Sequence, residues 1–228
     1  MKAAILQAAM QGKLTEQLET DSSVNDLLED IKKEKEKLIA EGKIKRPRTA
    51  QNNNFVAFKD GEEPFEIPNN WRWVDFGSVI SLLSGQDLTP DKYNNSQNGT
   101  IYLTGASNIE NGNIVINRWT PEPKSIAYCG DILLTCKGTI GKIAILQEDK
   151  VHIARQIMSI SPILVNRQFV VMFLEYYVSK LKNKAKSIIP GVERKDIIDA
   201  QFPLPPLEEQ NRIVTKLEQI LPLISDLS

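Results

Sequence analysis

The sequence has few of the residues on which disulfide frameworks, metal centres and membrane spans depend. Its 228 residues include two cysteines, Cys129 and Cys136, and one histidine, His152. Both cysteines lie in an apolar stretch, so we expect reduced, buried thiols rather than a disulfide or a metal site. His152 has no set of Cys or His ligands near it, which favours an ordinary core or surface imidazole. No apolar run reaches the length of a membrane span and the first residues are too polar for a secretory signal, so a cytoplasmic protein is expected.

The short motifs that most enzymes of nucleotide and nucleic-acid chemistry need are also missing. Neither Gly-x-x-x-x-Gly-Lys-Ser/Thr nor Gly-x-Gly-x-x-Gly occurs, so no phosphate loop or dinucleotide fingerprint is recognised. The Asn/Asp-Pro-Pro-Tyr/Phe motif with which amino-methyltransferases hold a flipped base is missing as well, because Leu204 precedes Pro205-Pro206. We therefore expect a protein without catalytic residues, and without a metal or a cofactor of its own.

The chain has no excess of positive charge. Its 28 Lys and Arg stand against 29 Asp and Glu, which gives a net charge of −1 and a pI near 6.0. Proteins that coat DNA nonspecifically are usually basic, since neutralising phosphates supplies their affinity. Any DNA contact must therefore come from basic residues gathered locally, or a partner must supply the rest of the positive surface. The hydrophobic content of 41% predicts a sizeable core.

Apolar residues at helical spacing predict a short first helix over residues 3–11, stopped by Gly12. Such a short helix is not stable alone, so its apolar side must pack on another element. The stripe consists of Ile5, Leu6, Ala9 and Met10.

A second helix is predicted to begin after Ser23, whose spacing to Asp26 is that of a capping box, and to end at Gly42. Residues 32–37 on this helix mix both charge signs, so we interpret them as solvated surface. The basic and Asn-rich residues 43–54 predict an exposed linker, although their positive charge could also touch phosphate.

A compact domain is predicted to begin near Pro64, with several short strands separated by turn signals. A helix over residues 168–186 follows the strands, and a last helix begins after Pro203–Pro206 with its acidic first turn. Pro222 is expected to kink or weaken the end of that last helix. The predicted strands are residues 71–76, 100–103, 114–116, 131–135, 143–146 and 158–160. The stripe of the last helix includes Leu207, Val214, Leu217 and Leu221.

Two apolar strands meet at a glycine-containing turn, Lys137-Gly-Thr-Ile-Gly-Lys142. Glycine permits positive φ and a close approach of backbone to another molecule. The Lys137 and Lys142 ammonium groups and the Thr139 hydroxyl would suit phosphate oxygens, and the tip could enter a groove. From these residues alone, a plain hairpin with solvated lysines is at least as good an interpretation.

Three other polar clusters are candidates for DNA contacts. Arg155 and Gln156 carry the guanidinium and amide groups that can read guanine and adenine edges in the major groove. The others are the small-residue loop that includes Thr104 and Asn108, and the predicted loop that includes Arg194 and Lys195. Each cluster could equally be ordinary surface.

Five segments in this order resemble the specificity subunits of type I restriction–modification systems. Residues 2–14 are similar to the end of the family's long shared helix, and residues 27–45 to the helix and linker after it. Residues 68–73, then 130–133 with 138–141, and then 203–214 look like the start, middle and exit of a target-recognition domain. The last segment, Pro203-Leu-Pro-Pro-Leu-Glu-Glu-Gln-Asn-Arg-Ile-Val214, is the most specific of them.

The resemblance implies an α+β protein that reads double-stranded DNA while other subunits do the chemistry. One target-recognition domain with a twisted, mainly antiparallel sheet would lie between N- and C-terminal helices that form an antiparallel spacer. Methyltransferase subunits carrying S-adenosylmethionine, and a restriction subunit, are the implied partners. The expected divisions are a short helix (1–14), a capped helix and linker (22–48), the recognition domain (60–202) and a spacer helix (203–228).

The family carries two recognition domains, each reading half of a split site, whereas this chain has one. Two copies could therefore pair as a homodimer through their terminal helices, with an interrupted palindrome as the favoured target. The residues expected at that interface are Ile5, Leu6, Met10, Leu207, Val214, Leu217 and Leu221. The residues expected to touch DNA are Thr104, Asn108, Lys137, Thr139, Lys142, Arg155, Gln156, Arg194 and Lys195.

Two rival interpretations stay open at this point. The chain could be a piece of a fused restriction–methylation enzyme that contributes catalytic residues. It could instead be a helical adaptor that touches no DNA. Methylation by the isolated chain would support the first, and an absence of salt-dependent DNA binding would support the second.

Overall fold

The computed structural model describes residues 1–45, 63–184 and 191–225. The helices in these ranges are α1 (Lys2–Met10), α2 (Val24–Ala40), α3 (Phe76–Val79), α4 (Arg167–Lys184), α5 (Arg194–Ile198) and α6 (Leu207–Ser225). The strands are β1 (Arg72–Asp75), β2 (Ile80–Ser84), β3 (Thr100–Leu103), β4 (Ile109–Glu110), β5 (Asn113–Ile114), β6 (Trp119–Thr120), β7 (Ile126–Tyr128), β8 (Ile132–Thr135), β9 (Ile143–Ile145), β10 (Lys150–Ile153), β11 (Ile157–Pro162) and β12 (Gln201–Leu204).

The predicted helices at both ends of the chain are confirmed. The Ser23 hydroxyl accepts a hydrogen bond from Asn25 N at the start of α2. Gly42 has φ +70° and follows the end of α2, where the backbone turns back so that Lys43 N donates to Leu38 O. The last helix includes Pro222 and ends at Ser225. Residues 46–54 of the predicted linker lie outside the described residues.

The interpretation of residues 32–37 as wholly solvated is wrong for Lys35. This side chain is buried, and its ammonium group donates to Gly77 O at 2.7 Å and to Ser78 O at 3.1 Å. Burial lowers the pKa of Lys35 to about 8, because the charged form loses its hydration. Lys35 therefore fixes α2 to the backbone of α3.

The chain divides into two compact units. The first comprises Met1–Val79, Pro162–Leu181 and Ile198–Ser228. In it, β1 and β12 pair antiparallel, with Trp73 opposite Pro203. An aromatic cluster forms its core, in which the Phe173 ring lies 4.9 Å from Phe76 and 4.7 Å from Phe202.

The second unit comprises Ile80–Ser161 and Lys182–Ile197. Its sheets have the strand orders β6-β3-β10-β7, β2-β11-β8-β9 and β4-β5. The pairings are antiparallel wherever a register is defined, except for the parallel pair of β3 and β10. An α+β fold with mainly antiparallel sheets is thus confirmed, although the strands form several small sheets rather than one. The predicted recognition domain, residues 60–202, is distributed over both units.

Apolar strand residues form the core of the second unit. Leu103, Leu133 and Val151 have no exposed surface. Cys136 is buried, as expected, whereas Cys129 is exposed because it lies after the end of β7; both are free thiols. The prediction that a strand covers residues 114–116 was wrong in its bounds. Strand β5 ends at Ile114, and Ile116 is exposed.

Candidate nucleic-acid interface

The glycine hairpin lies between the antiparallel strands β8 and β9 and is braced by a buried hydroxyl. Thr135 Oγ1 donates to Thr139 O at 2.7 Å and accepts from Lys142 N at 2.9 Å. Gly138 and Gly141 both have positive φ, +71° and +83°, which a side chain would oppose. Lys137 and Thr139 are exposed at the tip. The hairpin therefore offers a fixed backbone with two exposed polar side chains.

The Lys142 side chain does not extend freely into solvent. Its ammonium group donates to Ala106 O and Ile109 O, both at 2.8 Å, and the residue is half-buried. We expected a phosphate contact here, but two of its three N–H donors are already engaged. Lys142 instead ties the hairpin to the turn that Ala106–Asn108 forms.

A direct DNA contact by Asn108 is contradicted by its burial, since its side chain has no exposed surface. Its Oδ1 accepts from Thr104 N at 2.8 Å, and its Nδ2 donates to Val115 O at 2.8 Å. The Thr104 hydroxyl also donates to the same Oδ1 at 3.1 Å. Asn108 therefore shapes the loop, and half-buried Thr104 is bonded inward.

Arg155 and Gln156 are both exposed, immediately before β11. The Arg155 side chain is 69% exposed, and its Nε lies 2.7 Å from Asp87 Oδ2. The Gln156 amide packs against Gly105, because a Cβ placed on Gly105 would clash with Gln156 Oε1. Any larger residue than glycine at position 105 would therefore displace the Gln156 amide.

Arg194 and Lys195 lie on the short helix α5, not on the loop that the sequence predicted. Both residues are exposed, and Arg194 Nη1 donates to Leu82 O at 2.6 Å. Just before α5, Val192 N donates to Cys136 O at 2.8 Å. This bond places the residues just before α5 beside the glycine hairpin.

The structure brings most of the predicted DNA-contacting residues together within the second unit. Cys136 N donates to Gln156 O at 2.8 Å, and a Cβ placed on Gly138 would lie 4.0 Å from Gln156 Oε1. A Cβ placed on Gly191 would lie 3.6 Å from Lys137 Cγ. We call Lys137, Thr139, Arg155, Gln156 and Lys195 the exposed cluster. Its members come from three separate parts of the chain.

Sequence reasoning missed Asp87 and the role of His152. His152 is fully buried, and its Nδ1 accepts from Lys124 N at 3.2 Å and from Ser125 N at 3.1 Å. Its Nε2 lies 2.9 Å from Gln86 O, so the neutral Nε2–H form satisfies every partner. Burial lowers the pKa of His152. In the sequence, Asp87 is marked only by the short polar run of residues 85–87 that follows β2.

The Gly130-Asp pair of the resemblance has a structural role in the second unit. Asp131 Oδ2 accepts from Ser159 Oγ at 2.6 Å and Oδ1 from Ser161 Oγ at 2.6 Å. Tyr128 N also donates to Oδ2, at 3.0 Å. The carboxylate therefore connects the turn before β8 to β11.

The apolar stripes expected at a homodimer interface are mostly covered within one chain. Helices α1 and α6 contact each other. Leu6, Met10, Val214 and Leu217 are buried, so the prediction that they are available to a second copy is wrong. Ile5, Leu207 and Leu221 are half-buried, and Leu223, near the end of α6, is 66% exposed.

The segment that opens α6 is a polar clamp in the first unit. Glu209 has no exposed surface and accepts from Trp71 Nε1 at 2.8 Å, Gln17 Nε2 at 2.9 Å and Thr15 Oγ1 at 3.0 Å. Arg212 donates to both carboxylate oxygens of Asp21, at 2.7 and 2.6 Å, and lowers the pKa of that carboxyl. The most specific segment of the resemblance therefore holds the residues after α1 and the residue before β1.

No helix among the described residues is long and apolar enough to cross a membrane. The described residues also contain no group of three or more His, Cys, Asp or Glu side chains able to hold a metal ion.

The family model "Type I restriction modification DNA specificity domain" matches residues 68–227. The chain belongs to this family.

Known relatives agree with this assignment. The chain is 25% identical over 252 residues to the type I restriction enzyme EcoAI specificity subunit of Escherichia coli, covering 97% of this chain and 39% of that protein. It is 29% identical over 195 residues to the EcoBI specificity subunit of Escherichia coli, covering 75% and 40%. The crystal structure of the HsdS subunit from Thermoanaerobacter tengcongensis matches with a TM-score of 0.63 and 25% identity, over 89% of this chain and 46% of that one. The chain thus spans less than half the length of these relatives.

Proposed function

We propose that this chain recognises a specific DNA sequence for a type I restriction–modification complex and neither cuts nor methylates DNA itself. The observation that carries this proposal is the exposed cluster, which gathers charged and amide side chains from distant parts of the sequence. The buried Thr135 hydroxyl braces the hairpin, and buried Asn108 holds the neighbouring loop at Gly105, beside Gln156. Membership of the DNA specificity domain family supports the same function.

The chemistry of the cluster fits both positioning and readout. Arg155 and Gln156 carry the groups that form two parallel hydrogen bonds with guanine and with adenine. Lys137 and Lys195 can pair with phosphates, and the Thr139 hydroxyl can bond a phosphate oxygen. Supporting roles replace the contacts expected from Asn108 and Lys142, because their polar groups bond inward. Arg194 is exposed but spends Nη1 on Leu82 O, so we assign it a supporting role as well.

We further propose that methyltransferase subunits holding S-adenosylmethionine bind this chain, and that a restriction subunit joins them. The net charge of −1 supports a shared surface, since this chain alone has no positive excess with which to hold DNA. Such a complex would act on DNA in the cytoplasm. It would read a bipartite site, and this chain would read half of that site.

Where a second recognition domain is not part of the same polypeptide, we propose that a second copy of the chain supplies it. The last turns of α6 offer the surface that is left for pairing, with Leu223 exposed and Leu221 and Ile224 half-buried. Sedimentation at increasing concentration in the presence of the methyltransferase subunit tests this step. Two copies per complex are expected, and one copy with a single methyltransferase would contradict it.

Two measurements test recognition itself. DNA binding of the chain with its methyltransferase partner should fall steeply as salt rises, because phosphate contacts release counterions. Sequencing of methylated positions in DNA exposed to that complex should show one defined target. Binding without salt dependence or methylation without a target would refute the proposal, and methylation by this chain alone would favour an enzyme.

A further inference from the structure

Buried groups hold the backbone on both sides of Asp87. Gln86 N donates to Ile153 O at 2.9 Å, and Gln86 O accepts from His152 Nε2 at 2.9 Å. On the other side, Leu88 N donates to the hydroxyl of buried Tyr102 at 3.3 Å. The Asp87 carboxylate therefore projects from a fixed piece of backbone, although the side chain itself is 44% exposed.

This carboxylate holds Arg155 at two points. Oδ1 accepts from Arg155 N at 3.0 Å, and Oδ2 lies 2.7 Å from Arg155 Nε. The first contact is a hydrogen bond to the backbone of Arg155, and the second is an ion pair at the inner nitrogen of its guanidinium. Within the described part of the chain, neither Nη atom has a hydrogen-bond partner.

An exposed ion pair contributes little to folding, because solvent screens it and two side chains lose freedom. Its geometric effect on the guanidinium is larger. With Nε paired to Asp87, the edge formed by Nη1 and Nη2 carries the parallel N–H donors that have no acceptor among the described residues. That edge is complementary to O6 and N7 of guanine in the major groove. An arginine that only neutralised a phosphate would need no such orientation, since any oxygen would satisfy it.

We propose that Asp87 is a positioning residue that orients Arg155 to read a guanine in the target sequence. This inference rests on the proposed function, and it adds a named base and a residue that sequence reasoning missed. Asp87 touches the reading side chain, not the base. Replacing either member of the pair should therefore affect the same base pair of the target.

The test uses the complex of this chain with its methyltransferase partner and a pool of duplexes with randomised sequence. Bound duplexes are sequenced for the wild-type chain, Asp87→Asn, Arg155→Lys and the double variant. Asp87→Asn keeps the shape of the side chain but removes its charge, and Arg155→Lys keeps the charge but removes the fork. Glu122→Gln is the matched control, since Glu122 pairs with Lys92 at 2.7 Å and is also exposed in the second unit.

We expect the wild-type chain to prefer guanine at one position, and each single variant to lower that preference about tenfold at that position only. The double variant should be no less selective than Arg155→Lys alone, because both changes remove one contact. Glu122→Gln should select the wild-type sequence. Thermal unfolding should show the same midpoint for all variants within about 2 °C, since the exposed pair adds little stability.

Loss of selectivity in Arg155→Lys but not in Asp87→Asn would overturn the positioning role. The inference also fails if the two variants alter different positions, or if neither alters any position while the wild-type chain remains selective. A wild-type complex without any sequence preference would instead refute the proposed function itself.

Discussion

The two units of the chain use polar side chains in opposite ways. In the first unit, Glu209 and Gln210 in the first turn of α6 have no exposed surface, although both side chains are hydrophilic. In the second unit, Arg155 and Gln156 are exposed, and buried polar groups such as Asn108 hold the loops around them. Buried polar groups cost stability unless every hydrogen bond is made, so a polar clamp restricts which residues are accepted. Exposed side chains on a braced loop can change without that cost.

This difference teaches why one segment of the chain identifies its family while another would identify its target. The Leu-Glu-Glu-Gln-Asn-Arg segment satisfies fixed partners, among them Trp71, Asp21 and Asn166. The side chains of the exposed cluster keep hydrogen-bonding groups that the described part of the chain does not use. Variants in the two units should therefore fail in different ways, the first in folding and the second in DNA recognition.

The largest effect is expected for Leu217→Ala in the first unit. Leu217 is fully buried on α6, and its truncation should lower the free energy of unfolding by about 3 kcal/mol through lost burial and a cavity. Leu223→Ala is the control on the same helix, because Leu223 is 66% exposed and should change stability by less than about 0.5 kcal/mol. Urea denaturation measures both. Equal losses would show that the burial of α6 is not as described.

A slightly smaller loss is expected for Glu209→Ala, about 2 to 3 kcal/mol, since the buried Trp71 N–H loses its acceptor. The neighbouring Glu208→Ala removes only exposed bonds to Ser22 and should cost less than about 1 kcal/mol. The same denaturation experiment compares them. A destabilisation confined to Glu208→Ala would contradict the role of the buried carboxylate.

The stability of the fold should fall as the pH is lowered through the range in which histidine titrates. An unfolded histidine has a pKa near 6.5, and burial lowers the pKa of folded His152. Below 6.5 the unfolded chain therefore binds more protons than the folded chain, so stability is complete above that pH and is lost as the pH falls towards the folded value. The slope cannot exceed one proton, about 1.4 kcal/mol per pH unit. Unfolding between pH 7.5 and 5.5 measures it.

His152 is the only histidine, so His152→Gln should flatten that dependence while lowering stability at pH 7.5. An unchanged slope in the variant would show that another group titrates.

The smallest changes in stability are expected for the two lysines of the hairpin, and they should differ between Lys142 and Lys137. Lys142→Ala should cost about 1 kcal/mol of stability, because the carbonyl oxygens of Ala106 and Ile109 lose a charged donor. Lys137→Ala should leave stability unchanged and weaken DNA binding equally for all sequences, with a salt slope smaller by about 1. Binding titrations of the complex at several salt concentrations, beside unfolding curves, separate the two roles. Loss of a phosphate contact by Lys142→Ala without loss of stability would contradict the assignment.

Much of the fold could be predicted from the sequence, because helical spacing and caps depend on neighbouring residues. The cap at Ser23, the turn at Gly42 and the strand at residues 100–103 are examples. Contacts between distant residues could not be predicted in this way. The burial of Lys35 depends on two carbonyl groups 42 and 43 residues away, and that of Asn108 on how its loop closes. The apolar stripes of α1 and α6 contact each other within one chain. From the sequence alone, these stripes could not be distinguished from a surface that binds a second copy.

The candidate site was predictable in its residue types but not in its division of roles. Lysine, arginine and asparagine in small-residue loops indicate DNA contacts equally well whether their polar groups face outward or inward. The distinction between Lys137 and Lys142, or between Arg155 and Arg194, comes from the backbone carbonyls that the fold brings to one of each pair. Asp87 has no signal of its own beyond a short polar run.

The central claim is that the second unit selects the DNA sequence while the clamp in the first unit only holds the fold. Its most direct test is to exchange the second unit alone, residues 80–161 and 182–197, for the corresponding residues of a relative with a different target, in the presence of the methyltransferase partner, and to map the methylated positions. The account predicts that the modified sequence changes to the half-site of the donor. An unchanged modified sequence in a chain that still folds and still supports methylation would contradict it.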